Sequence, residues 1–224
     1  MSAALSLAAG HGSPPADEWL FERIAQGIEA QGYAICPAAL PMALAEQLQA
    51  EQLRLNAARY REAGVGRGDG FQTNPFVRSD EICWMSGESE AEQAWRQWAA
   101  ALQRYLNRRL FLGLFSFESH YAHYRPGDFY RRHLDAFRGQ ANRVLSLVLY
   151  LNPGWDPKDG GELVVYRDEA DREGTRVVPL MATLVVFLSE EFPHEVLPAA
   201  RDRYSVAGWF RVNTSIGGRI DPPR

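Results

Sequence analysis

Cysteine is almost absent: Cys36 and Cys83 are the two in 224 residues, and their spacing forms neither a Cys-x-x-Cys pair nor a metal-binding repeat. That excludes a disulfide framework and points to a reducing compartment, the cytoplasm, with both thiols structural. Long hydrophobic runs are missing as well. The Ala/Leu stretch near the N-terminus has no basic region before it and is too short to span a bilayer, so neither a signal peptide nor a membrane anchor is expected. Positive charge is not in excess: the formal net charge of −4 offers no broad field for nucleic acid. Arg131, Arg132, Arg138 and Arg143 do cluster locally, a placement that suits anionic ligands or a solvated surface. No internal repeat is present.

What is there is an ordinary globular composition, 46% apolar with 23% charge, enough for one sizeable core. Residues 1 to 16, rich in Ala, Ser, Gly and Pro, read as a flexible leader, and 17 to 224 as one domain. From Asp17 as N-cap, Leu20, Ile24 and Ile28 recur at helical spacing up to Gly32. Tyr33 to Cys36 reads as a short strand, and Pro41 opens a second helix carrying Leu44, Leu48 and Leu55. The glycine-rich run Gly64 to Asn74 reads as a loop, and Phe76 to Met85 as a strand with a charged turn at Arg78 and Asp80. Ser89 and Glu92 predict a capping box for a third helix with Trp95, Trp98, Leu102 and Tyr105 on its buried stripe. The helical support is expected to end at Asn107. Beyond it, short apolar runs separated by turns predict a strand barrel or sandwich from about 108 to 213, with Val144 to Leu151 as a central strand.

The chemistry centres on Tyr130-Arg131-Arg132-His133-Leu134-Asp135. In an extended strand His133 and Asp135, two apart, share a face and can grip one ion. His194, in Phe192-Pro193-His194-Glu195-Val196, is the candidate third ligand. Two imidazoles and one carboxylate with open positions describe the facial triad of non-haem Fe(II) oxygenases, although zinc accepts the same set in hydrolases. Arg203 follows, and its planar charged fork suits the carboxylate of a dicarboxylic cosubstrate, for which a zinc hydrolase has no use.

Taken in order, His133-x-Asp135, Tyr150-Leu151-Asn152, Trp155-Asp156, Gly160-Gly161, Pro193-His194-Glu195-Val196, Arg203-Tyr204 and Trp209 resemble the Fe(II)- and 2-oxoglutarate-dependent prolyl hydroxylases, in particular the prolyl hydroxylase domain group related to oxygen-sensing enzymes. The resemblance implies a double-stranded β-helix, or jelly roll, flanked by N-terminal helices in an α+β chain with a mainly β core. It implies Fe(II) on His133, Asp135 and His194, and 2-oxoglutarate held by Arg203 with the Tyr150 hydroxyl. Tyr124 and Trp209 would line the pocket, and Arg78 and Asp80 would belong to a loop over the substrate. O2 is the second cosubstrate, with ascorbate as a stimulant. The implied reaction is 4-hydroxylation of a proline in a protein by a monomeric enzyme, and relatives of this compact form suggest elongation factor Tu as the partner. Hydroxylation of another residue or a small molecule, and a non-catalytic β-helix that senses its ligand, are the competing readings. His120 and His123 match no ligand position, and Ala207 stands where many relatives carry a hydroxyl.

Overall fold

The computed structural model describes residues 16–55, 57–63, 74, 76–136 and 142–213. The expected leader up to residue 15, nearly all of the glycine-rich run and Arg138 lie outside the described residues.

Helix α1, Ala16–Gln31, starts one residue before the expected cap, so Asp17 sits in the first turn, where its charge favours the helix N-terminus. It ends at Gly32, whose φ of +82° closes the last turn. A β-carbon at Gly32 would lie 2.6 Å from the ring of Phe192, so this turn packs directly onto the segment leading into His194. Strand β1, Tyr33–Cys36, and helix α2, Met42–Arg54, follow as expected. Strand β2 is Arg61–Glu62, but the predicted strand from Phe76 shrinks to β3, Glu81–Trp84. Phe76 and Val77 turn instead, and Arg78 makes an isolated bridge to Tyr130.

Helix α3, Glu90–Leu110, runs three residues past the predicted end and stops at Phe111, a left-handed residue (φ 55°). Only half of the expected capping box forms. The Ser89 hydroxyl accepts from the Glu92 amide, but the Glu92 carboxylate turns away to accept from the Gly87 amide at 2.6 Å. Trp95 and Trp98 stack at 5.4 Å, and Trp95, Leu102 and Leu106 are fully buried. Deleting such an indole costs about 3–5 kcal/mol.

The remaining strands are β4 Ser116–Tyr124, β5 Tyr130–His133, β6 Arg143–Tyr150, β7 Leu163–Val165, β8 Thr175–Val177, β9 Leu184–Leu188, β10 His194–Val196 and β11 Arg203–Arg211. They form two antiparallel sheets, one ordered β1-β9-β6-β11-β4-β3-β2 and the other β5-β10-β7-β8. Among strands β4 to β11, β4, β6, β9 and β11 fall in the larger layer and β5, β7, β8 and β10 in the smaller, alternating along the chain except at the β7–β8 hairpin. This is the wiring of a double-stranded β-helix, which β1 and β3 with β2 extend at either edge of the larger layer.

Side-chain alternation then assigns the faces. Leu145, Leu147, Leu149, Leu184, Val186, Val206 and Phe210 meet the helices in one core. Residues of the opposite face, Tyr124, Tyr150, Val185 and Phe187, point between the layers into a second. The inner face of β11 carries Arg203, Ser205, Ala207 and Trp209, which is why polar chemistry can sit inside a β core. Both cysteines are buried free thiols. Among the described residues no helix is long and apolar enough to cross a membrane.

Candidate metal centre

His133 is the last residue of β5 and His194 the first of β10, and the two stand directly opposite in the antiparallel pair. Their rings lie 4.2 Å apart. Asp135 differs from expectation: the strand ends at His133, and Asp135 occupies the bend after it. The bend still delivers the carboxylate, with Oδ1 3.6 Å from His133 Nε2 and Oδ2 3.7 Å from His194 Nε2. One ligand atom from each residue falls within 4.8 Å of the others, a grouping suited to one ion.

Both imidazoles are set by the same local device. Nδ1 of His133 lies 2.8 Å from the Arg131 carbonyl, and Nδ1 of His194 3.0 Å from the Phe192 carbonyl, each two residues back. A carbonyl can only accept, so the proton sits on Nδ1 and the Nε2 lone pair faces the site. Burial, with His133 adding to it, pushes His194 down to about 4, which keeps it neutral as a ligand must be. For Asp135 burial acts upward, but the two histidines and the Ser146 hydroxyl outweigh it and hold the carboxyl well below its usual range. Tyr130 stacks on His133 at 3.5 Å and fixes that ring from its other side.

Arg203 is 1% exposed. Its Nε donates to the Gly161 carbonyl at 2.8 Å, and Cζ lies 5.0 Å from the Tyr124 ring and 5.1 Å from the Tyr150 ring. Gly161 has a φ of +72°, and a β-carbon there would press within 3.2 Å of Arg203 Cδ, so the Gly160-Gly161 turn gives the arginine its seat. Arg203 Nη2 and the Tyr150 hydroxyl are buried without a hydrogen-bond partner among the described residues. Two donors left unpaired side by side are costly. A carboxylate satisfies both, and the donor set therefore fits a dicarboxylic cosubstrate beside the ion.

The other expected residues take different roles. Arg78 and Asp80 do not face solvent: Nε donates to Oδ1 at 2.7 Å and Nη2 to Oδ2 at 2.6 Å, with the Asp80 side chain fully buried. The Arg78 guanidinium lies 4.1 Å over the Tyr130 ring, on the face opposite His133. The amides of Ser79 and Arg131 bond the carbonyls of Phe129 and Val77 and zip this segment to β5. Trp209 is half-buried, capped at 3.5 Å by the Arg143 guanidinium, which pairs in turn with Glu118. His120 is buried between Trp84 and Trp209, and His123 bonds Asp202 at 2.7 Å, so neither reaches the ligand set. Of the local arginines, Arg132 stacks on Tyr166 at 3.8 Å and bonds the carbonyls of Asp168 and Asp171.

Ser146 and Ser189 were not singled out by the sequence, and they stand in a row behind the ligand carboxylate. Ser146 donates to Asp135 Oδ2 at 2.6 Å, and its Oγ lies 2.9 Å from that of Ser189. The available signal was a lone hydroxyl inside the apolar run Val144 to Leu151.

Comparison with known proteins agrees with this geometry. Residues 119–211 match the family model of the 2OG-Fe(II) oxygenase superfamily. A prolyl-4-hydroxylase of Pseudomonas putida superposes with a TM-score of 0.76 and 40% identity, covering 86% of this chain and 98% of that one. A Trichoplax adhaerens prolyl hydroxylase, solved with a hypoxia inducible factor peptide, gives 0.77 at 24% identity over 87% of this chain and 90% of that one, a likeness of fold. Mouse prolyl hydroxylase EGLN3 is 28% identical over 71% of this chain and 69% of its own length. Rat Egl nine homolog 1 is 33% identical over 85 residues, which span only 25% of that protein. The chain belongs to the 2OG-Fe(II) oxygenase superfamily, whose members use Fe(II), 2-oxoglutarate and O2, and within it to the prolyl hydroxylases.

Proposed function

We propose that this chain 4-hydroxylates a proline in a protein, with elongation factor Tu as the candidate substrate, and that it works as a monomer in the cytoplasm. The observation that carries the reading is the grouping of His133, Asp135 and His194 beside the same inter-sheet core, through Phe187, that holds two donors without a partner among the described residues, Arg203 Nη2 and the Tyr150 hydroxyl. The 40% identity with the Pseudomonas putida prolyl-4-hydroxylase supports proline as the target, and a peptide complex of the Trichoplax relative supports a polypeptide substrate. The free thiols of Cys36 and Cys83 suit a reducing compartment.

When bound, Fe(II) with 2-oxoglutarate and O2 supplies oxidative decarboxylation, yielding succinate and CO2 and placing one oxygen atom on a C–H bond. The chain's own work is to position and to exclude water. His133 and His194 offer Nε2 because their Nδ1 protons are committed to carbonyls. Asp135 supplies negative charge that offsets the ion's. Arg203 and Tyr150 would hold the distal carboxylate, while Tyr124 and Val185 pack in the buried core between the sheets with Tyr150. Trp84, half exposed at the end of β3 with its ring 6.3 Å from that of Trp209, offers an aromatic face on which a pyrrolidine ring can lie. Arg78 and Asp80 hold the substrate-side segment against β5 from within.

The test is incubation with Fe(II), 2-oxoglutarate, O2 and bacterial elongation factor Tu, read by peptide mass spectrometry and succinate release. A one-oxygen gain on a single proline, absent with His133→Ala, is expected. Succinate release coupled to oxygen gain on another residue, or on no protein at all, would overturn the proline reading while leaving the family intact.

A further inference from the structure

The two hydroxyls behind Asp135 are ordered by their chemistry. A serine has one proton to give. Ser146 spends it on Asp135 Oδ2 at 2.6 Å, so at the 2.9 Å contact between the serines Ser189 must be the donor. The result is a directed chain, Ser189 to Ser146 to the carboxylate, in which each bond polarises the next. All of it is dry: Ser146 is 1% and Ser189 0% exposed. Buried hydroxyls on otherwise apolar strands are costly unless paired, and here their shared destination is a metal ligand. Ser146 projects from the inner face of β6, opposite Trp209 and Phe187, while Ser189 follows the end of β9. Two strands of the larger layer therefore reach across to an oxygen carried by the smaller one.

We propose that Ser146, backed by Ser189, is a positioning residue that ties up Asp135 Oδ2 and so keeps the carboxylate to one-oxygen coordination of the metal through Oδ1. This inference rests on the reading of His133, Asp135 and His194 as the metal site. Its consequence is that one ion position stays available: a carboxylate freed to bind through both oxygens would occupy a place that the cosubstrate requires. Asp135 lies beyond the end of β5, in a bend, and no strand pairing fixes it there, so the hydroxyl chain from β6 and β9 does.

The test uses Co(II) as an air-stable probe in the full chain, followed by calorimetry and by its visible absorption, which responds to coordination number. Ser146→Ala should weaken Co(II) binding by roughly ten- to hundredfold and shift the spectrum towards a higher coordination number. It should also weaken 2-oxoglutarate binding to the Co(II) form. Ser146→Thr, which keeps the hydroxyl, should restore affinity and spectrum. Ser189→Ala should fall between wild type and Ser146→Ala. A merely structural serine would lower the melting temperature of the metal-free chain and leave Co(II) affinity and spectrum unchanged, which overturns the proposal. A wild-type chain that fails to bind Co(II) overturns the triad itself and this inference with it. Equal Co(II) binding by wild type and Ser146→Ala overturns this inference alone.

Discussion

Replacing Tyr150 by Phe removes one oxygen atom and should move two quantities in opposite directions. The Tyr150 side chain is fully buried beside Arg203, and its hydroxyl proton finds no acceptor among the described residues. Burial pushes its ionisation up to about 12 against the opposing pull of Arg203, so at neutral pH it is an O–H donor awaiting an acceptor. Without cosubstrate, an unsatisfied buried donor costs about 1–3 kcal/mol. With 2-oxoglutarate present, the same donor meets a carboxylate, and a hydrogen bond to a charged group contributes about 1.5–3 kcal/mol. The ligand-free Tyr150→Phe chain should therefore be more stable than wild type, its melting temperature rising by about 2–4 °C for each kcal/mol at this chain length. Its affinity for 2-oxoglutarate should fall roughly ten- to hundredfold. Scanning calorimetry of the ligand-free proteins and isothermal titration of the Co(II)-loaded ones read the two effects. As an internal control, 2-oxobutyrate lacks the distal carboxylate and should bind both proteins alike. A melting temperature that drops, or an unchanged 2-oxoglutarate affinity, would refute the assignment of Tyr150 and with it the pairing to Arg203.

Asp80→Ala removes the buried carboxylate that pairs with the Arg78 guanidinium and should cost about 3–5 kcal/mol in urea unfolding, whereas Arg78→Met with Asp80→Leu should cost much less. Equal losses would show that the pair does not act as a unit. The neutral state of His120 gives a pH signature. Burial, with Arg78 and Arg143 adding to it against Asp80 and the Tyr121 carbonyl, holds it down to about 4 from 6.5. A depressed histidine contributes stability above its unfolded value and loses it as pH falls, because the unfolded chain takes up the proton first. Between pH 6.5 and 4 wild type should thus lose about 3 kcal/mol more than His120→Met; parallel stability profiles of the two proteins would contradict this.

The legible parts of the molecule were those that local pattern dictates. The apolar alternation of Val144 to Leu151 and the Gly32 stop are short-range signals, and the strands and helix end lie where those signals put them. His133, Asp135 and His194 were legible as residue types, but the reason that they meet was not. Strand geometry accounts for His133 opposite His194, while Asp135 arrives by a bend that no alternation predicts. Arg78 and Asp80 read as a charged turn in a loop over the substrate, and nothing local marks them for burial. Their burial depends on each other and on Tyr130, a partner some fifty positions later, and such compensation is invisible until the chain is folded. Glu92 illustrates the same limit at short range: the capping motif was complete in sequence, yet the Gly87 amide won its carboxylate.

The facing of His194 by His133 makes an ion a referee of strand register. Side chains alternate along β10, so a slip of one residue would turn His194 outward and bring Glu195 in, and this pair already carries an irregularity between His194 and Val196. The slipped pairing loses the second imidazole and also breaks the register of His194, Glu195 and Val196 with Val165, Val164 and Leu163 of β7. An ion in hundredfold excess over its dissociation constant favours the correct pairing by about 2.7 kcal/mol. Roughly sixty residues of chain must close before the two histidines meet, so the choice falls late in folding.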